Sequence, residues 1–87
     1  MLPDRTRVDC LTDTHAVEFD FGPKWAEAIG QALYYASQTN RKAAVVLILR
    51  SPKDERYVRR IEAAVADSGI KLDIWPMSRL ELLALKN

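Results

Sequence analysis

The chain has 87 residues, 48% of them hydrophobic and 29% charged, with a net charge of +1. These values describe one small foldable domain and argue against a disordered chain; the near-neutral charge argues neither for nor against nucleic acid, since the strongly basic excess that would favour DNA is absent. One cysteine, Cys10, cannot close an internal disulfide, no signal-peptide pattern is present, and the longest apolar run, "AAVVLIL", is too short to span a bilayer, so the expectation is a reducing, cytoplasmic setting without membrane contact.

In chain order, "LPDRT" carries a Pro-Asp turn signal, and "RVDCLT" and "HAVEFDF" alternate as two strands joined around "TDTH" in a hairpin. Gly22-Pro23 breaks the second strand, and Pro23 suits the first turn of a helix. That helix, "KWAEAIGQALYYASQ", has Trp25, Ile29, Leu33 and Ala36 at helical spacing, which predicts its core face, and Asn40 ends it. "AAVVLIL", 43–49, lacks alternation, as a parallel strand covered on both faces does. Ser51-Pro52 caps a second helix over 53–67 with Val58, Ile61 and Val65 inward, closed by Gly69. "IKLDIW", 70–75, predicts a fourth strand. "SRLELLALK" predicts a last helix, Ser78 and Glu81 forming a capping box. The expected fold is α/β, a mixed sheet flanked by helices in the order β-β-α-β-α-β-α, with the first two strands antiparallel.

Register then selects the residues of interest. Whether the hairpin loop is 13–14 or 12–15, opposed residue numbers sum to 27, so Asp9 faces Glu18 and Arg7 faces Asp20. These four share one face, while Val8, Cys10, Val17 and Phe19 make the other, apolar one. Opposed β-carbons lie about 4.5–5.5 Å apart, where like charges repel. A hard divalent cation, Mg²⁺ or Mn²⁺, reverses that sign, because it takes one or two carboxylates plus waters and phosphate oxygens. A solvated polar face balanced by Arg7 is the plainer alternative. On the first helix, Lys24, Gln31 and Tyr35 share a stripe beside the core face. Lys24 is poorly placed against the helix dipole but well placed to orient a water or neutralise a phosphate beside a metal.

Asp9 in "RVD", the acids on the next strand, and a helix bearing Gln-x-x-x-Tyr in "QALYY" together resemble the PD-(D/E)xK nuclease superfamily, with a restriction-endonuclease-like core. The Gln31-to-Tyr35 spacing is similar to the RecB-type exonuclease branch. The resemblance implies that Asp9 and Glu18 bind Mg²⁺ or Mn²⁺ for hydrolysis of DNA phosphodiesters, with Lys24, Gln31 and Tyr35 completing the site. In that family a lysine stands two residues after the second acid, where this chain has Asp20. Either Lys24 reaches in as a migrated lysine, or the site is inactive and the domain binds DNA or protein without catalysis. The family's leading helix and most of a leading strand are also missing, so a truncated nuclease-like domain spanning 1–87 is the expectation.

The other polar residues carry less. A lone histidine, His15, argues against a zinc site or a histidine-based pair, Cys10 is expected to pack on the apolar face, and Asp13 to form the turn. Arg56, Arg59 and Arg60, with Lys53, form either a phosphate patch or an exposed face laced by Glu55 and Glu62, and the second is the expected reading. Trp75 before Pro76 marks the edge of the core or a subunit contact. Leu80, Leu82, Leu83 and Leu85 on the last helix imply burial against the sheet or a homodimer interface.

Overall fold

A computed structural model describes residues 9–85. Arg7, Val8 and the turn expected at 2–6 lie outside the described residues, as does the side chain of Leu85. Four strands, β1 (Cys10–Leu11), β2 (His15–Phe21), β3 (Lys42–Leu49) and β4 (Asp73–Ser78), alternate with three helices, α1 (Trp25–Thr39), α2 (Glu55–Ser68) and α3 (Arg79–Leu85). The sheet runs β1-β2-β3-β4, with β1 antiparallel to β2 and the other pairs parallel. The element order and the mixed sheet flanked by helices agree with the pattern read from the sequence. No helix among the described residues is long and apolar enough to cross a membrane.

The hairpin register is the expected one, with Cys10 opposite Val17 and Leu11 opposite Ala16. Alternation along β2 therefore sends Ala16, Glu18 and Asp20 to one face and Val17, Phe19 and Phe21 to the other. On the first face, Ala16, Ala43, Val45 and Leu47 pack with Ala28, Ala32 and Ala36 of α1 and with Val58 and Ile61 of α2. On the second, Val17, Ala44, Val46 and Ile48 pack with Phe19, Phe21, Met77 and Leu82 of α3. β3 is buried on both faces, which is why its sequence shows no alternation.

Four details differ from the sequence reading. The buried line of α1 is Ala28, Ala32 and Ala36, while Trp25, Ile29, Leu33 and Tyr35 are only partly buried around it. Small side chains let the helix axis approach the sheet, and the bulky ones then spread over its flanks. Cys10 is exposed, because α3 packs on β3 and β4 and leaves the β1 end of that face without cover. β4 spans 73–78 and not 70–75, running through Trp75 and Pro76. An edge strand accommodates proline because its outward side needs no N–H donor. α2 starts at Glu55 after a 3-10 turn at Pro52–Asp54, and the Ser51 side chain makes no capping bond; instead the Asp54 carboxylate accepts the Arg50 N–H at 2.9 Å.

The helix ends fall where expected. Asn40 (φ 55°) and Gly69 (φ 72°) close α1 and α2 in the left-handed conformation. Ser78 and Glu81 form the reciprocal capping box, both bonds at 3.1 Å. In α3, Leu82 packs on the sheet, whereas Leu80 and Leu83 stay 79% and 51% exposed.

Gly22, at the end of β2, is held by close approach. A β-carbon there would sit 2.6 Å from Cδ2 of Tyr57. Gly22→Ala is expected to displace the Tyr57 ring and cost about 1–3 kcal/mol, as overpacking does, measurable by urea denaturation.

Candidate functional site

Asp9 sits in the bend just before β1, and its Oδ2 accepts the Phe19 N–H at 3.0 Å. The carboxylate thus occupies the place of a ladder carbonyl and is pinned beside Glu18, the residue that the hairpin register sets opposite it. Glu18 is 6% exposed, the one buried charged residue among those described. Its parallel neighbour on β3 is Val45, fully buried in the helix-side core, which accounts for the burial.

Electrostatics follow from that position. Burial above all, then the Asp9 charge, a hydrogen bond with the Asp9 side chain, and the Asp20 charge raise the Glu18 pKa to about 8. At neutral pH without a cation, Glu18 therefore keeps a proton and donates it to Asp9. Its other oxygen, Oε2, is buried and has no hydrogen-bond partner, an arrangement native interiors rarely leave uncompensated.

Asp20, half-buried two residues on, also has its pKa raised, chiefly by burial; the Phe21 N–H and the Lys24 ammonium offset this in part, and Glu27 and Asp9 add to it. Lys24 is exposed at the end of the 3-10 turn entering α1 and acts on Asp20. Gln31 is exposed on the helix surface, and Tyr35 packs against the helix-side core. Helical spacing puts Lys24, Glu27, Gln31 and Tyr35 on one flank of α1, and the influence of Lys24 and Glu27 on Asp20 sets that flank's first turn beside the acids. The sequence reading overlooked Glu27, although its spacing of three from Lys24 and four from Gln31 marked it as part of the stripe.

The structure thus joins Asp9, Glu18, Asp20 and Lys24, while Gln31 and Tyr35 lie farther along the same flank. Could these groups hold a metal? Among the described residues no group of three or more His, Cys, Asp or Glu side chains could do so. Two carboxylates are present, Asp9 and Glu18, one of them with an orphaned buried oxygen. That donor set fits Mg²⁺ or Mn²⁺ completed by water and phosphate oxygens, and does not fit an all-protein cage.

Elsewhere, a cleft of about 1020 Å³ opens at the opposite end of the parallel strands, between Leu33, Asn40, Lys42, Leu72 and Asp73, and contains none of the six candidate residues. His15 bonds Asp73 (Nε2 to Oδ2, 2.6 Å) and the Thr14 hydroxyl (2.7 Å), and its ring centroid lies 5.0 Å from that of Trp75. This His–carboxylate contact ties the start of β4 to the start of β2 across β3. Asp73 lies 58 residues from His15, so no local signal announces the pair.

Comparison with profiles of known protein families, with curated proteins and with solved structures returned no significant match.

Proposed function

We propose that this chain is a metal-dependent DNA phosphodiester hydrolase with a restriction-endonuclease-like core, Asp9 and Glu18 being its metal ligands. The observation that carries the reading is the Asp9–Glu18 pair: two carboxyl groups pressed together, one of them buried with an unsatisfied oxygen. Stability alone gives no reason for it, and a cation held by the two carboxylates would satisfy the orphaned acceptor and favour the ionised form of Glu18. When bound, Mg²⁺ or Mn²⁺ would acidify a coordinated water and offset the charge that builds on the phosphate.

The chain's own groups do the rest. Asp9 is fixed by the Phe19 N–H, which pins its carboxylate beside Glu18. With Asp9, Glu18 would hold the cation in its carboxylate form, its proton having passed to solvent. Lys24, held near Asp20, is the one cation of the α1 flank at this end and serves to steady a phosphate oxygen or the attacking water. Gln31 and Tyr35, farther along, orient the substrate strand.

The test is nicking of supercoiled plasmid with Mg²⁺ or Mn²⁺. Wild type is expected to cut, and Glu18→Ala and Asp9→Ala to lose about 100-fold or more, the scale of a lost catalytic group. Cutting that survives Glu18→Ala removes the assignment. One observation favours a second reading, a non-catalytic module that binds DNA or protein: Asp20 stands where the resembled family has lysine. Calorimetric titration separates the two, since absence of Mg²⁺ and Mn²⁺ binding at millimolar concentration selects the non-catalytic module.

A further inference from the structure

The carboxyl ends of β2 and β3 carry an arrangement that the metal site does not use. Tyr57 of α2 lies with one side of its ring against Gly22. Two guanidinium groups lie by the same ring, Arg56 at 4.7 Å and Arg60 at 5.4 Å from its centroid, and Arg56 also donates to the Tyr57 hydroxyl at 2.8 Å. At the same strand ends, Arg50 lies 4.1 Å over the Phe21 ring. Lys24 follows two residues after Gly22.

The expected lacing of these arginines by Glu55 and Glu62 is not formed. Among the described residues no carboxylate lies within ion-pair distance of any arginine. Helical spacing turns Arg60 toward Tyr57 and away from Glu55 and Glu62, and sets Arg56 midway between Glu55 and Tyr57, where its guanidinium takes the ring; Arg59, on the Glu55–Glu62 flank, makes no ion pair among the described residues. Glu55 lines a groove on the other side, with Arg50, Ser78, Arg79 and Leu80. The arginines are therefore held by aromatic faces, which restrain them without neutralising them.

We infer that Arg56 and Arg60, set on Tyr57, form a platform that grips the phosphate backbone of the nucleic acid presented to the Asp9–Glu18 site. This deepens the hydrolase reading and rests on it for the substrate class. Gly22 approaches Tyr57 along its Cβ–Cδ2 edge and two guanidinium groups lie by the ring, so the groups held out for a ligand are cationic. Recognition by the platform is thus of backbone charge and is indifferent to base sequence. Planar guanidinium groups with unneutralised donors suit phosphate better than ammonium groups do.

The test needs no cleavage. Fluorescence anisotropy in EDTA measures binding of a short labelled DNA across a salt series, for wild type, for Arg56→Gln with Arg60→Gln, and for Arg56→Lys with Arg60→Lys. Circular dichroism checks that each variant is folded. The glutamine pair is expected to weaken binding about tenfold or more and to lower the slope of log K against log salt by roughly 1.4–1.8, two phosphate contacts' worth. The lysine pair is expected to weaken binding at unchanged slope, which keeps the proposal testable if the glutamine pair fails to fold. Wild-type affinity and slope in the folded variants overturn the platform, as does displacement of DNA by polyglutamate at equal charge concentration, which points to an acidic protein partner. Plasmid nicking is scored separately: cutting by wild type with unaltered DNA binding by the variants leaves the hydrolase standing and removes only the platform.

Discussion

In metal-free buffer the protein is expected to lose stability as pH rises from about 4.5 to about 8, and Glu18→Gln to flatten most of that slope. The folded-state pKa of Glu18 is raised from 4.5 to about 8. Between those values the folded chain keeps a proton that the unfolded chain has released, so rising pH favours unfolding. Below the lower value both states are protonated and the group costs nothing; above the upper one both are ionised and the cost is complete, roughly a few kcal/mol once solvent screening is allowed for. Asp20, raised in the same direction, adds the same sign. A small domain has only about 5–15 kcal/mol in total, so this cost is a measurable share of it. Urea midpoints in EDTA at several pH values measure this directly. A flat wild-type profile, or an equal slope in Glu18→Gln, removes the argument.

Added Mg²⁺ should raise the midpoint more at pH 8 than at pH 6, because at the lower pH the cation must first displace the Glu18 proton. In the proposed metal site, the group that weakens the metal-free fold would also tie cation binding to folding.

How much of this was legible beforehand depends on which force decided each feature. The hairpin register was legible because the apolar alternation of Val17 and Phe19 permits only one pairing that keeps acids out of that face, and it brought Asp9 to Glu18 correctly. What alternation could not convey is that the Glu18 face is itself a core, covered by α1. The burial that raises its pKa comes from Val45 and the alanine line of α1, which are remote in sequence. The preference of cysteine for interiors misled at Cys10, because cover depends on where α3 lands. Spacing leaves Arg56 midway between Glu55 and Tyr57, and its guanidinium takes the Tyr57 ring, which packs against Gly22. For Glu18 and Cys10 the pattern set the face, and elements distant in sequence set the environment.

Lys24→Ala is expected to reduce Mg²⁺-dependent cleavage about 100-fold or more, and Asp20→Lys in that background to restore a substantial part. Residues 18 and 20 share a face of β2, so an ammonium group introduced at 20 arises beside Glu18, where the resembled family carries its lysine, without any help from the helix. The exchange has a second readout independent of catalysis. Asp20 is one of the charges that raise the Glu18 pKa, and replacing it by a cation reverses that contribution. The pH at which stability falls in EDTA should therefore move lower in Asp20→Lys, whatever happens to cleavage. If Lys24→Ala cuts at the wild-type rate, Lys24 is a surface partner of Asp20 and nothing more. If Asp20→Lys shifts the stability profile yet produces no cleavage in either background, the carboxylate pair is real but the chemistry is absent, and the non-catalytic reading prevails.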